Sequence, residues 1–114
     1  MHFLIAIALV FTIGIAVLLY AFAMFDRLVR AQYVDERIQW ESDGRPRGFF
    51  WRASECTWLS GWASNRLAFV WLFKTPQWAK SSSTNLLNLR HLRISVLTWH
   101  VLVLSVLLFG VLIA

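Results

Sequence analysis

His100 is the one side chain able to gain a charge near neutral pH that lies inside either of two long apolar runs of this chain. An imidazole set in hydrocarbon is costly unless partnered, so an intramembrane histidine is a functional candidate by default. A neutral imidazole there has the chemistry to ligate a haem or chlorophyll metal, or to hydrogen-bond a quinone. A second reading pairs it within the chain. If the first run leaves the membrane near Phe25 and the second enters at Ile94, Tyr20 lies at the depth of His100, and a Tyr20–His100 hydrogen bond would satisfy both groups. A third reading leaves His100 alone and partly snorkelling. A single axial ligand also means that bis-histidine haem would need another chain.

Elsewhere the inventory for chemistry is thin. His2 stands beside the amino terminus and His91 among basic residues, neither with a carboxylate or thiol at metal-ligand spacing. Ser54, Glu55 and Cys56 are adjacent, but adjacency is not a triad. No phosphate-cradling glycine loop, dinucleotide fingerprint or His-x-x-x-His pair occurs. Cys56 is the only cysteine, which excludes an intrachain disulfide and a four-thiolate metal site in one chain. The expectation is a non-enzyme with no catalytic residue, no metal ligand and no cofactor of its own.

The elements that hold these residues follow from charge placement. The 11 Lys and Arg and 6 Asp and Glu all fall between Asp26 and Arg93. Phe3–Phe25 and Ile94–Ala114 carry no charge, and each is long enough as a helix to cross an apolar bilayer core about 30 Å thick. Ala21-Phe22-Ala23 resembles a signal cleavage site, but no Lys or Arg precedes the run and the run is too long, so a retained helix is expected. The fold class read here is an all-α membrane protein: two transmembrane helices joined by a cytoplasmic loop that contains an amphipathic, Trp-rich interfacial helix. Its divisions are 1–25, the first transmembrane helix; 26–42, a cytoplasmic helical extension; 43–84, an aromatic-rich interfacial loop and helix; and 85–114, a second helix, transmembrane from about 94. All basic residues lie in the loop, which places the loop in the cytoplasm and both termini outside.

Within the loop, Leu28, Ala31, Val34 and Ile38 recur at helical spacing, and the acids read as a solvated face with pairs such as Asp26–Arg30. Ser42-Asp43-Gly44-Arg45-Pro46 is turn chemistry. Phe49, Phe50 and Trp51 sit among arginines, which suits either an interfacial anchor or contact with the protein's own helices. A middle helix from Ser54 to Lys74 would carry Trp58, Trp62, Phe69 and Phe73 on one face, with Trp71 in the same apolar run, and Thr75-Pro76 would end it. Ser83 or Thr84 would cap the last helix. Thr12 with Ala16, and Gly110 with Ala114, are small residues four apart that would let helices approach closely.

Of the 7 Trp, six lie in the loop, where indole favours headgroups and protein interfaces. The net charge of +5 comes from Arg66, Lys74, Lys80, Arg90 and Arg93, since the charges before them cancel. Basic residues this sparse point to anionic lipid headgroups and to other integral membrane subunits or self-association, not to nucleic acid.

The two terminal spans, Asp43-Gly44 followed by Gly48-Phe49-Phe50, Val70-Trp71-Leu72-Phe73, and Arg90 with Arg93 resemble universal stress protein B and its relatives. The segment from Trp51 to Arg66 departs from that pattern and is richer in Trp. The resemblance implies a small proteobacterial inner-membrane protein linked to stationary-phase stress, with no catalytic residue. The functional expectation is an accessory or stabilising subunit of a larger inner-membrane complex, or a stress-related membrane factor. The alternative is a haem- or pigment-binding electron-transfer or light-harvesting subunit that uses His100.

Overall fold

A computed structural model of the chain describes residues 1–113. Among them the fold is all-helical, with two helices long and apolar enough to cross a membrane: α1, His2–Asp35, and α4, Ser83–Ile113. Between them come α2, Arg37–Ser42, α3, Ser60–Phe73, and a 3-10 turn, Gln77–Ser81. α1 and α4 form an antiparallel hairpin. The Tyr20 hydroxyl meets His91 Nδ1 at 3.0 Å, the Gly14 backbone lies against the Trp99 ring, and the Phe3 and Phe109 rings are 5.4 Å apart. The molecule is 54 Å long, close to the length of α1 alone.

Exposure divides the hairpin sharply. From Met1 to Tyr20 only Gly14 is buried, and beyond Ser95 no described residue of α4 is. From Ala21 onward α1 enters a core made with Met24, Phe25, Leu28, Val29, Leu67, Trp71, Trp78, Leu89 and Leu92. Segments 3–20 and 96–113 therefore form an exposed apolar belt, each about 27 Å long at about 1.5 Å per residue. Of residues 21–25, expected to be the inner end of the first span, Ala21, Met24 and Phe25 are buried in this core. Composition could not show this, because it depends on which level of α4 faces them.

The helical extension also differs from expectation. α1 stops at Asp35, and Glu36, with φ −134° and ψ 54°, breaks it before α2. After α2 the Arg45 N–H bonds the Trp40 carbonyl at 2.9 Å and the Gly44 N–H bonds that of Glu41 at 3.1 Å. Gly44 and Arg45 both have positive φ, 98° and 55°, so the helix ends in a left-handed reversal of the kind glycine favours. Trp40 is fully buried, its indole N–H bonded to the Pro46 carbonyl at 2.9 Å. The chain then runs back along α1.

Asp26 receives it. Its carboxylate accepts the backbone N–H groups of Phe49 at 2.6 Å, Phe50 at 2.7 Å and Trp51 at 2.9 Å. This replaces the expected Asp26–Arg30 pair: the one ion pair among the described residues is Arg37–Glu55. Gly48 is required beside it, because a Cβ there would lie 2.5 Å from Asp26 Cγ. The middle helix starts at Ser60 rather than Ser54, since residues 54–59 form turns, and Lys74 ends it in extended conformation. α4 begins at Ser83, one residue after Ser82, whose hydroxyl accepts the Asn85 N–H at 3.3 Å.

Asp26→Asn turns an amide donor toward backbone donors that then lack an acceptor. The expected result is a cap destabilised by about 3 kcal/mol, with early protease cleavage in the 45–53 loop. Gly48→Ala should open the same loop by steric clash. Limited proteolysis and thermal melting of both variants check this, and wild-type protection in Asp26→Asn would contradict it.

Candidate docking face and polar residues of the apolar belt

The structure brings Tyr20 to His91 rather than to His100. The expected pairing placed the start of the second span level with Phe25, whereas the hairpin puts His91 level with Tyr20. His100 lies two to three turns further along α4, exposed on the belt, with Nδ1 2.8 Å from the Val96 carbonyl. A carbonyl only accepts, so Nδ1 is the donor in this bond, and in the neutral ring Nε2 is the nitrogen that carries the lone pair. The hydroxyls of the belt are satisfied the same way, by the carbonyl four residues back: Thr12 to Ala8 at 2.8 Å, Thr98 to Ile94 at 2.8 Å, Ser105 to Val101 at 2.7 Å.

Thr12, Ala16 and Gly110 lie apart from the hairpin contact. Thr12 and Ala16 are exposed, and Gly110 has open space where a Cβ would be. Ala114 lies outside the described residues. The close approach is at Gly14 instead, where a Cβ would come within 3.1 Å of the Trp99 ring. Beside it an apolar recess of about 90 Å³ lies between Val10, Phe11, Trp99 and Val106.

The aromatic residues divide between surface and interior. Trp58, Trp62, Phe69 and Phe73 stand out at 82%, 73%, 66% and 77% exposure, and Phe50 at 68%. Phe49 is partly covered, stacked on Phe22 at 4.0 Å between ring centres. Trp51 is half-buried against Tyr33, with ring centres 5.3 Å apart. Trp71 is core, 5.4 Å from Phe25 and 5.6 Å from Trp78. The inward positions of α3 are Ser60, Ala63, Ser64, Leu67 and Trp71. Most of the aromatic bulk of α3 thus faces outward, opposite to an ordinary surface helix. Arg93 holds its carboxyl end, donating to the Trp71 carbonyl at 2.9 Å and the Thr75 hydroxyl at 3.1 Å.

Sequence reasoning missed two polar ties that position this face. One is Asp26, whose only signal is that it is the first charge after an apolar run. The other is a clasp around Glu55. Its carboxylate accepts from the Ser54 hydroxyl, from the Tyr33 hydroxyl at 2.5 Å and from Arg37 at 3.2 Å, and the Arg37 guanidinium lies 3.5 Å from the Tyr33 ring centre. Hydrogen bonds from Ser54 and then Tyr33 hold the Glu55 carboxyl below the usual range, and the bond to Glu55 raises the Tyr33 phenol. Glu55 therefore supports the clasp above the ordinary carboxylate range, and its contribution is lost as pH falls through its depressed value. Tyr33 runs the other way: its contribution is lost as pH rises past the ordinary phenol range.

In a Tyr20→Phe background the remaining phenol should titrate above the ordinary tyrosine range by ultraviolet absorbance. Glu55→Gln should lower that midpoint; an unchanged titration would remove the clasp from the account.

Comparison with known proteins assigns no family, since no family model, curated protein or solved structure matches the chain.

Proposed function

We propose that this chain is a non-catalytic integral membrane protein that acts by binding, as an accessory or stabilising subunit of a larger inner-membrane complex. The observation that carries the reading is the outward aromatic face of α3, on a cap whose own core is already closed by Trp71, Trp78 and Phe25. Exposed apolar area of that kind marks contact with a partner or a membrane. The belt of α1 and α4 would lie in lipid, with Arg27, Arg30, Arg90 and Arg93 near its inner edge. Positive charge there favours a cytoplasmic cap and periplasmic termini. The resemblance to universal stress protein B agrees with that setting and would add a role in stress physiology.

His100 supports a second reading. Its Nδ1 is tied to its own helix, so its free Nε2 is the atom that would ligate a haem or pigment metal supplied by an assembly.

Mild-detergent purification of the tagged native chain, read by mass and by visible absorbance, tests both. A large assembly in fixed ratio, lost on Trp62→Ser with Phe69→Ser, is the expected result. A chain that purifies alone overturns the subunit reading, and a colour band abolished by His100→Ala puts the cofactor reading in its place.

A further inference from the structure

Arg27 and Arg30 stand one turn apart on α1 without a counter-ion, since the ion pair among the described residues lies elsewhere. They border an open recess of about 440 Å³ that reaches across to the amino end of α4, where Ser82, Thr84, Asn85 and Asn88 line it. Asn85 and Asn88 are each only 8% exposed, and neither carboxamide bonds to a protein group. The carboxamide atoms themselves are not sealed from solvent, so from one wall of the recess both are free to donate to an outside acceptor. The helix end adds to this. Ser82 takes the Asn85 N–H on its hydroxyl and the Leu86 N–H on its carbonyl, at 3.3 and 3.1 Å. The first-turn amides of Ser83 and Thr84 have no intrahelical acceptor, at the positive end of a 31-residue helix. Asp35 also borders the recess, but at the far end of α1 from the belt, so an anion is drawn toward Arg27.

Depth selects the kind of anion. The Tyr20–His91 bond marks the inner end of the exposed belt. Asn88 lies about 5 Å and Arg27 about 10 Å beyond that level along their helices. A headgroup layer is roughly 5–8 Å thick on each side, and arginine stems reach back toward it.

We infer that this recess binds the phosphate of an anionic membrane lipid. Arg27 and Arg30 clamp its oxygens, while Asn85, Asn88 and the α4 amino end donate hydrogen bonds. The recess stands on its own geometry; the lipid as source of the phosphate rests on the membrane-spanning reading proposed above.

The test is a titration of the full chain in a neutral mild detergent with phosphatidylglycerol, read by native mass spectrometry, beside a titration with inorganic phosphate read by thermal shift. Wild type should retain phosphatidylglycerol and show no response to inorganic phosphate over the same range. Arg27→Gln with Arg30→Gln should bind roughly thirtyfold more weakly, two charges at about 1 kcal/mol each. The near-isosteric Asn88→Asp should also weaken it, by placing a carboxylate in the recess. Arg52→Gln with Lys80→Gln removes the same charge elsewhere and should leave binding near wild type. Equal weakening in that control, or no change in Arg27→Gln with Arg30→Gln, overturns the site. Saturable binding of inorganic phosphate to the same residues overturns the lipid as its source. None of these outcomes depends on whether the chain sits in a larger complex, so the subunit reading and this one fail separately.

Discussion

The Asp26 carboxylate stands where the apolar belt gives way to the cap, and three consecutive backbone amides converge on it. A chain segment that doubles back against a helix without pairing in a sheet leaves its N–H groups with no partners. One carboxylate satisfies three of them, and charge-assisted bonds are stronger than neutral ones. The consequences spread outward. Phe49 is set down on Phe22, and Trp51 is turned toward Tyr33. The Arg47 N–H is aimed at the Ser64 hydroxyl at 2.8 Å, which ties α3 to the loop. The position of α3 is inherited from that one acceptor, because the helix leans on the loop as much as on the hairpin.

Hairpin register is the second constraint. Gly14 opposite Trp99 allows a close crossing, and Tyr20 opposite His91 gives each polar ring a partner at the inner edge. In this register the first apolar run is longer than the belt requires, and the surplus serves the cap. Met24 and Phe25 are 2% and 1% exposed. Burial of side chains of that size stabilises by about 1.5–3 kcal/mol each. The same residues that read as membrane by composition are part of a buried core with α3 and α4. The arrangement also explains why Arg93 can lie level with an apolar part of α1: its guanidinium is occupied by the exposed carbonyl end of α3 and the Thr75 hydroxyl.

Composition alone marks α1 and α4, since a charge-bearing, turn-rich segment from Asp26 to Arg93 between two uncharged runs of that length admits few other arrangements. The spacing of Trp62, Phe69 and Phe73 places these three on one exposed side of α3, whereas Trp58, expected with them, stands in the turn before the helix. What composition cannot convey is register and long-range acceptance. Tyr20 has a histidine partner in both accounts, but choosing between His91 and His100 requires the offset of two helices, which no local pattern carries. Trp71 shares its run with Phe69 and Phe73, yet it rotates into the core because 100° per residue sends it to the other side of the helix. Asp26 looks like the first member of an ordinary surface pair. Only the return of Phe49–Trp51 from 23 or more residues away makes it an acceptor, and the glycine that permits the approach is not conspicuous in a loop.

The reversed polarity of α3 follows from the same loop. The amino-terminal half of its inner face meets the loop backbone: the Ala63 Cβ lies at 3.0 Å from where a Gly44 Cβ would be, and Ser64 bonds the backbone of Arg47. Large apolar residues there would push the loop off and strand its polar groups, so Ser60, Ala63 and Ser64 are small or hydroxylic by necessity. No such necessity governs the opposite face. Trp62, Phe69 and Phe73 contribute little to closing the cap, and polar side chains at those positions would satisfy the fold equally well. Indole and phenyl groups left in the open, at positions the fold does not need them, are the observation on which the proposed binding role rests.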